Sequence, residues 1–249
     1  MNQNEVALVT GGNKGIGREI VRQLALRGLT VYLAARNPAL GASAAEQLAG
    51  EGLDVRFVQL DVTDGESVAA AAKRVEADSG RLDALVNNAG IVSEWGTAVA
   101  DITAEQVRTA YDVNVFGVVA VINAFVPLLR RSPNARIVNM SSGLGSTTLL
   151  SELGGRLATQ GLLAYSSSKA ALNALTLVYA SALRADNIKV NAATPGLVPT
   201  DLNTQASVPR GERTVADGAA VPVALATLPT DGPTGAFRGP ESLSDVAPW

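Results

Sequence analysis

Neither cysteine nor histidine occurs anywhere in the 249-residue chain. The two absences remove several kinds of chemistry together. Structural and catalytic zinc sites are built largely from Cys and His, so a zinc dehydrogenase is excluded and no metal site is expected. Thiolate catalysis, disulfides, iron–sulfur clusters and histidine-ligated haem go with it. A Ser-His-Asp triad cannot be assembled, and proton transfer near neutral pH must proceed without imidazole. Carboxylates, lysine and tyrosine remain for acid–base work.

An excess of positive charge is also missing. Twenty Lys and Arg face 23 Asp and Glu, a formal net charge of −3, so no nucleic-acid partner is expected. Met1 to Glu5 has neither a basic nor an apolar stretch, which argues against a signal peptide. The longest apolar run, Gly117 to Leu129, is broken by Asn123 and Pro127 and falls short of the ~20 residues of a membrane span. These features lead to the expectation of a cytoplasmic protein with no membrane partner. What the chain does have is apolar residues, 47% hydrophobic against 17% charged. A chain of this length buries roughly 70–75% of its unfolded surface and needs no covalent staple.

Short apolar runs alternate with helical patterns. Val6–Val9, Val31–Ala35, Val55–Leu60, Leu82–Val86, Ile137–Met140 and Ile188–Val190 read as strands. Most are continuously apolar, as parallel strands covered on both faces are. Ile16, Ile20, Val21, Leu24 and Ala25 form one helical stripe ending at Gly28. Further helices are expected over Pro38 to Glu51, Asp64 to Ser79, Ile102 to Arg130 (one or two helices) and Ala164 to Ala185. The order predicts an α/β fold: one Rossmann-type, doubly wound parallel sheet with helices on both faces. No linker or internal repeat divides it, so a single domain over 1–249 is expected. Past Pro195 the pattern weakens into loops, with 197–220 as a substrate loop and a late edge strand near Ala236–Arg238.

Directly after the first strand stands Thr10-Gly11-Gly12-Asn13-Lys14-Gly15-Ile16-Gly17, and then a helix. Glycines there let a phosphate approach backbone N–H groups at a helix N-terminus. The spacing is G-x-x-x-G-x-G, neither the G-x-G-x-x-G fingerprint nor a Walker A loop. An ordinary strand–helix turn is the alternative, but the strand before and the helix after favour a dinucleotide. No acid lies between Thr30 and Asn37, where an enzyme preferring NAD holds the ribose 2′-hydroxyl. Arg36 ends the second strand instead, and Lys14 sits in the loop. Two cations suit a 2′-phosphate, hence NADP(H), unless both are merely solvated. Tyr165 and Lys169, four apart on a helix, project from one face. An ammonium beside the phenol is expected to lower the tyrosine pKa from its reference near 10, towards the range useful for general acid catalysis. A surface Tyr/Lys pair is the plain alternative. One of Ser141 and Ser142, after the fifth strand, could hydrogen-bond a substrate oxygen where such a sheet opens its site. Asn114 reads as a satisfied buried amide, and Asp61 as a helix cap before Thr63 and Asp64.

Together these motifs resemble the classical short-chain dehydrogenase/reductase family over nearly the whole chain. The glycine octet is followed in order by Asn87-Asn88-Ala89-Gly90, Asn114, Ser142, Tyr165-x-x-x-Lys169 and Pro195-Gly196. The Gly-Asn-Lys-Gly loop and Gly-Pro-Thr-Gly at 232–235 resemble its carbonyl-reductase branch. The resemblance implies reduction of a ketone or aldehyde by NADPH, or the reverse. It selects Ser142 of the two serines to steady the carbonyl oxygen, and Tyr165 as proton donor. Lys169 is implied to hold the nicotinamide ribose, and Asn114 to anchor a water that links Lys169 to solvent. It implies that Gly11, Asn13, Gly15, Ile16 and Gly17 form the cofactor loop, and that Asp61 and Val62 meet the adenine. Asn87, Ala89 and Gly90 would border the ribose, and Pro195, Gly196, Val198 and Thr200 the nicotinamide amide and phosphate.

Ser142 and Tyr165 are 23 residues apart, considerably more than in compact family members. The extra segment, Gly143 to Gly161, carries Leu149, Leu150, Leu153 and Leu157. A lid or short helix over the substrate, or a packing insert that obstructs dimerisation, would each fit, so monomer and homo-oligomer both stay open. Trp95 and Trp249 read as packing residues. A non-catalytic NADP(H)-binding sensor is the principal rival, though it would have no use for Ser142, Tyr165 and Lys169. A methyltransferase on a similar sheet would prefer an acid where Arg36 stands.

Overall fold

The computed structural model describes residues 5–155, 161–206 and 210–249. Seven parallel strands form one sheet: β1 (Val6–Thr10), β2 (Thr30–Ala35), β3 (Val55–Gln59), β4 (Ala84–Asn87), β5 (Arg136–Met140), β6 (Lys189–Ala193) and β7 (Phe237–Arg238). Their spatial order is β3-β2-β1-β4-β5-β6-β7. The chain winds outward from β1 to β3, then crosses back to lay β4 on the other side of β1. That reversal opens a crevice beyond the carboxyl ends of β1 and β4, where doubly wound sheets bind ligands.

Both faces of the sheet are covered at β1, β2 and β4, which is why these strands are mostly apolar without alternation, whereas the edge strand β3 exposes Arg56 and Gln59. In β1, Val6 and Leu8 pack into the core of one face while Ala7 and Val9 pack into that of the other. One face is covered by α3 (Gly65–Ser79), α5 (Gly117–Leu129) and α7 (Leu163–Ala182), with Tyr32, Phe125, Ile137, Leu172 and Val190 at its centre. The other is covered by α1 (Gly15–Leu26), α2 (Pro38–Gly50) and α8 (Val215–Ala226), around Ile20, Leu24, Leu33, Leu48, Val221 and Leu225. The remaining α-helices among the described residues are α4 (Ala104–Tyr111) and the single turn α6 (Thr147–Leu150).

Three expectations change. The weak pattern past Pro195 does not stay loop, because α8 begins inside the expected substrate loop. Gly218 and Pro222 disguise it as a break. Pro222 forfeits one backbone hydrogen bond, yet the helix is anchored by a capping box between Thr214 and Asp217 and packs on α1. Gly218 is the contact point, since a Cβ there would stand 2.9 Å from Val198 Cγ2 and 3.3 Å from Ile16 Cδ1. Second, the run from Ala104 to Leu129 is continuous: a π-helical turn, Asp112–Phe116, joins α4 to α5. At 26 residues it is long and apolar enough to cross a bilayer, unlike the shorter stretch weighed from sequence. Its apolar residues have another use here, for Val118, Val121, Ile122, Phe125 and Leu129 are buried against the sheet. Third, strand limits move slightly: β4 starts at Ala84 and runs on to Asn87, and β6 reaches Ala193.

Candidate active site

The crevice is a cleft of about 440 Å³. Its floor at one end is the loop between β1 and α1. Gly11 and Gly15 sit at φ +63° and +54°, in the left-handed region that glycine tolerates. Gly17 is required by proximity, because a Cβ would lie 2.3 Å from the Gly11 carbonyl oxygen and 2.4 Å from Asn88 Nδ2. Asn88 laces this loop to β4. Its side chain donates to the carbonyls of Thr10 and Gly11 at 2.9 and 3.2 Å, while Thr10 Oγ1 accepts from the N–H groups of Asn88 and Ala89. Sequence reasoning chose its neighbour Asn87, whose amide instead turns into the sheet and donates to Asn139 at 2.9 Å. Asn87 does not line the cleft; Ala89 and Gly90 do.

Asn13, Lys14, Ile16, Arg36, Asp61 and Val62 also line it. Lys14 and Arg36 are both exposed, and Lys14 Nζ pairs with Asp201 across the cleft at 3.0 Å. Asp61 accepts from the N–H and hydroxyl of Thr63. Those bonds, aided by nearby Arg36, hold its carboxyl below the ordinary aspartate value. The cap of α3 is Asp64, not Asp61. On the opposite wall, Pro195 and Thr200 face the cleft. Gly196 and Val198 stand outside its lining: Gly196 against Arg213 and Pro240, and Val198 buried beneath α8.

The inner end holds Tyr165 and Lys169, both buried on the first turns of α7. Lys169 Nζ donates to the Met140 carbonyl at 2.7 Å, and lies 5.6 Å from the Tyr165 ring centroid. Burial pulls the lysine down to about 8. The expectation for the tyrosine is overturned in sign: burial pushes it up to about 12. A hydrogen bond with Ser142 pulls the other way and nearby Glu94 adds to the rise, but desolvation dominates. Between the adjacent serines the hydroxyls have separate fates. Ser141 donates to Asn173 Oδ1 at 2.6 Å and is the serine in the cleft lining, whereas Ser142 stands outside that lining, accepts the Leu144 N–H at 3.1 Å and lies near the phenol.

Asn114 sits in the π-helical turn, wholly buried. Its amide accepts from Ile91 N–H at 2.9 Å and donates to the Ile91 carbonyl and Ser168 Oγ, each at 3.0 Å. Both its donors and one lone pair of its oxygen go to tying the loop after β4 to α7. Gly90 is wedged beside it, where a Cβ would stand 3.3 Å from Asn114 Oδ1 and 3.4 Å from Lys169 Nζ.

The loop after β4 contributes two residues that sequence reasoning missed or set aside. Glu94 is 1% exposed, and its Oε1 accepts the Tyr165 backbone N–H at 2.7 Å. Trp95 lines the cleft and donates its indole N–H to the Leu202 carbonyl at 2.9 Å. Val92, Trp95 and Leu150 pack beside Leu144, Leu162 and Tyr165 as a small apolar cluster. The segment from 143 begins with a tight turn, Gly143–Gly145, then α6, fastened by hydroxyls of Ser146, Thr147 and Thr148 to the Trp249 carbonyl. The Trp249 ring packs on Phe237, 5.3 Å between centroids. Leu157 falls outside the described residues.

Residues 5–210 match the family model described as short chain dehydrogenase. The chain belongs to the short-chain dehydrogenase/reductase family. Within it the chain is similar to carbonyl reductase (NADPH) 1 of Homo sapiens, with 36% identity covering 93% of this chain and 95% of that protein. It is equally similar, at 36%, to short-chain dehydrogenase/reductase 1 of Saponaria officinalis, over 99% and 97%. The structure of an NADPH-bound carbonyl reductase from chicken fatty liver superposes with a TM-score of 0.84 at 29% identity, over 99% and 100%.

Proposed function

We propose that the protein is an NADP(H)-dependent oxidoreductase that reduces a ketone or aldehyde to an alcohol, or runs the reverse. One observation carries this: Tyr165 and Lys169, 5.6 Å from the lysine Nζ to the tyrosine ring centroid, line the inner end of the cleft whose outer end is the glycine loop. The loop fits a dinucleotide, since the left-handed Gly11 and Gly15 leave backbone open to a pyrophosphate at the start of α1, while Gly17 lets the loop close on Gly11 and Asn88. Lys14 and Arg36 favour a 2′-phosphate over a bare hydroxyl. When bound, the nicotinamide supplies the hydride.

The chain supplies position and the proton. Ser142 and Tyr165 both donate hydrogen bonds to the substrate oxygen and stabilise the negative charge that develops there. Tyr165, whose phenol stays protonated across neutral pH, then passes its proton to that oxygen. Lys169, below a pH of about 8, carries an ammonium that eases the loss of that proton. Asn114 supports the proton path by fixing the turn beside Gly90 and Lys169. Val92, Trp95 and Leu202 wall the space around the hydroxyls and suit an apolar small-molecule substrate. The test is NADPH oxidation against a panel of carbonyls. Wild-type protein turns over at least one, and Tyr165→Phe loses turnover while its NADPH affinity stays within about twofold. No turnover on any compound would overturn the proposal in favour of a binding module.

A further inference from the structure

Two acids are buried among the described residues, Asp83 and Glu94, each 1% exposed. Asp83 is explained by its partners: Arg81 at 3.0 Å, the Val6 N–H and the Ser132 hydroxyl. Among the described residues Glu94 makes no ion pair. An uncompensated buried carboxylate is expensive, so a side chain in that state calls for a role. Its three bonds share a pattern. Oε1 accepts from Tyr165 N–H at 2.7 Å, and Oε2 accepts from the Ser93 N–H and hydroxyl, both at 3.0 Å. The two backbone N–H groups donate to the carboxylate, while the single proton of the Ser93 hydroxyl is shared with the Gln106 carbonyl at 2.8 Å.

The helix it meets needs such a group. α7 starts at Leu163, its N-cap is Leu162 with no side-chain acceptor, and its first turn contains no acid. Tyr165 is the third helical residue, the position whose N–H an N-cap side chain ordinarily satisfies. Glu94 reaches that N–H from the loop after β4, 71 residues earlier in the chain. It also sets a negative charge at the positive end of a 20-residue helix.

We infer that Glu94 is a positioning residue for Tyr165: it caps α7 from outside the helix, fixes where the tyrosine stands, and sets its carboxylate close by. The charged and titratable groups around the phenol are few. Lys169 faces it from its own helix and Glu94 from the loop after β4, with the neutral Ser142 hydroxyl nearby. On α4, which packs on α7, the charged Glu105 and Arg108 are exposed and paired with each other. Glu94 therefore works against Lys169, holding the proton on the phenol until substrate takes it.

This inference rests on the proposed reaction, and Glu94→Gln separates the two. The amide keeps an acceptor for the Tyr165 N–H and removes the charge. In alcohol oxidation the phenolate is the base, so the rate rises with pH as Tyr165 ionises. Glu94→Gln is expected to move that rise to lower pH by about 0.5 units, roughly a threefold gain in phenolate at fixed pH. NADPH affinity should stay unchanged. Glu94→Ala removes cap and charge, and should show the same shift with kcat lowered about tenfold. An unshifted pH profile in Glu94→Gln overturns the inference, whatever the thermal stability, because a purely structural cap would change stability alone. Should Glu94→Ala fail to fold, Glu94→Gln decides. Should wild-type protein reduce no carbonyl, the proposed reaction fails, and tyrosinate absorbance of Glu94→Gln read against Tyr165→Phe still tests this inference.

Discussion

At the inner end of the cleft Tyr165, Lys169, Asn114 and Glu94 are buried, whereas at the outer end Lys14, Arg36 and Asp201 stand in water. The same kinds of charge behave differently in the two places. Burial moves Lys169 down to about 8 and Tyr165 up to about 12. Around Lys14 and Arg36 solvent and salt soften each interaction. The dry end can therefore set a protonation state, and the wet end can only bias which ligand docks. Substitutions at the first should alter the chemical step, and those at the second should alter ligand preference.

The largest expected effect is at the dry end. Tyr165→Phe should lower kcat for carbonyl reduction by about 10²–10⁴, the usual worth of a general acid, with folding intact by circular dichroism. An equal kcat would erase the distinction between the two ends. Lys169→Met should also lose at least about 10² in kcat. Its thermal midpoint should not fall below wild type, because a buried ammonium burdens the fold. The sign of the pH effect follows from the direction of the shift. With its pKa depressed by burial, Lys169 is charged below about 8 and neutral above. Reduction should weaken as pH rises through that value, and a rate flat to pH 10 would contradict the assignment. At the wet end, Arg36→Asp should move the NADPH/NADH preference towards NADH by about tenfold, roughly one charge-assisted hydrogen bond, with kcat little changed. Smallest is Asp201→Asn. Freeing Lys14 from an exposed pair should raise NADP(H) affinity by no more than about threefold. That gain should vanish at high salt.

The same contrast marks what could be read from the sequence. β1, β2 and β4 were legible because strands dry on both faces must be continuously apolar. The glycine octet and the Tyr165/Lys169 spacing were legible because each is a local pattern with a fixed geometry. α8 was hidden, since Gly218 and Pro222 signal a break unless Ile16 and Val198, distant in sequence, are known to press on them. Glu94 carried no local signal, as its only distinguishing partner lies 71 residues away. The direction of the tyrosine shift was missed for a related reason. Spacing reveals a neighbouring ammonium, but only the packed structure reveals the loss of water that outweighs it.

The turn at 143–145 limits how the segment that follows it can be exchanged. Gly145 lies against the backbone of Lys169, where a Cβ would come within 2.7 Å of its carbonyl carbon. Any transplant of this segment from a relative that carries a side chain at 145 would push on the lysine itself. A graft whose first exchanged residue is Thr147 leaves that seat alone. It would change the packing around Leu150, in the apolar cluster beside Tyr165, while the Tyr165/Lys169 pair keeps its place.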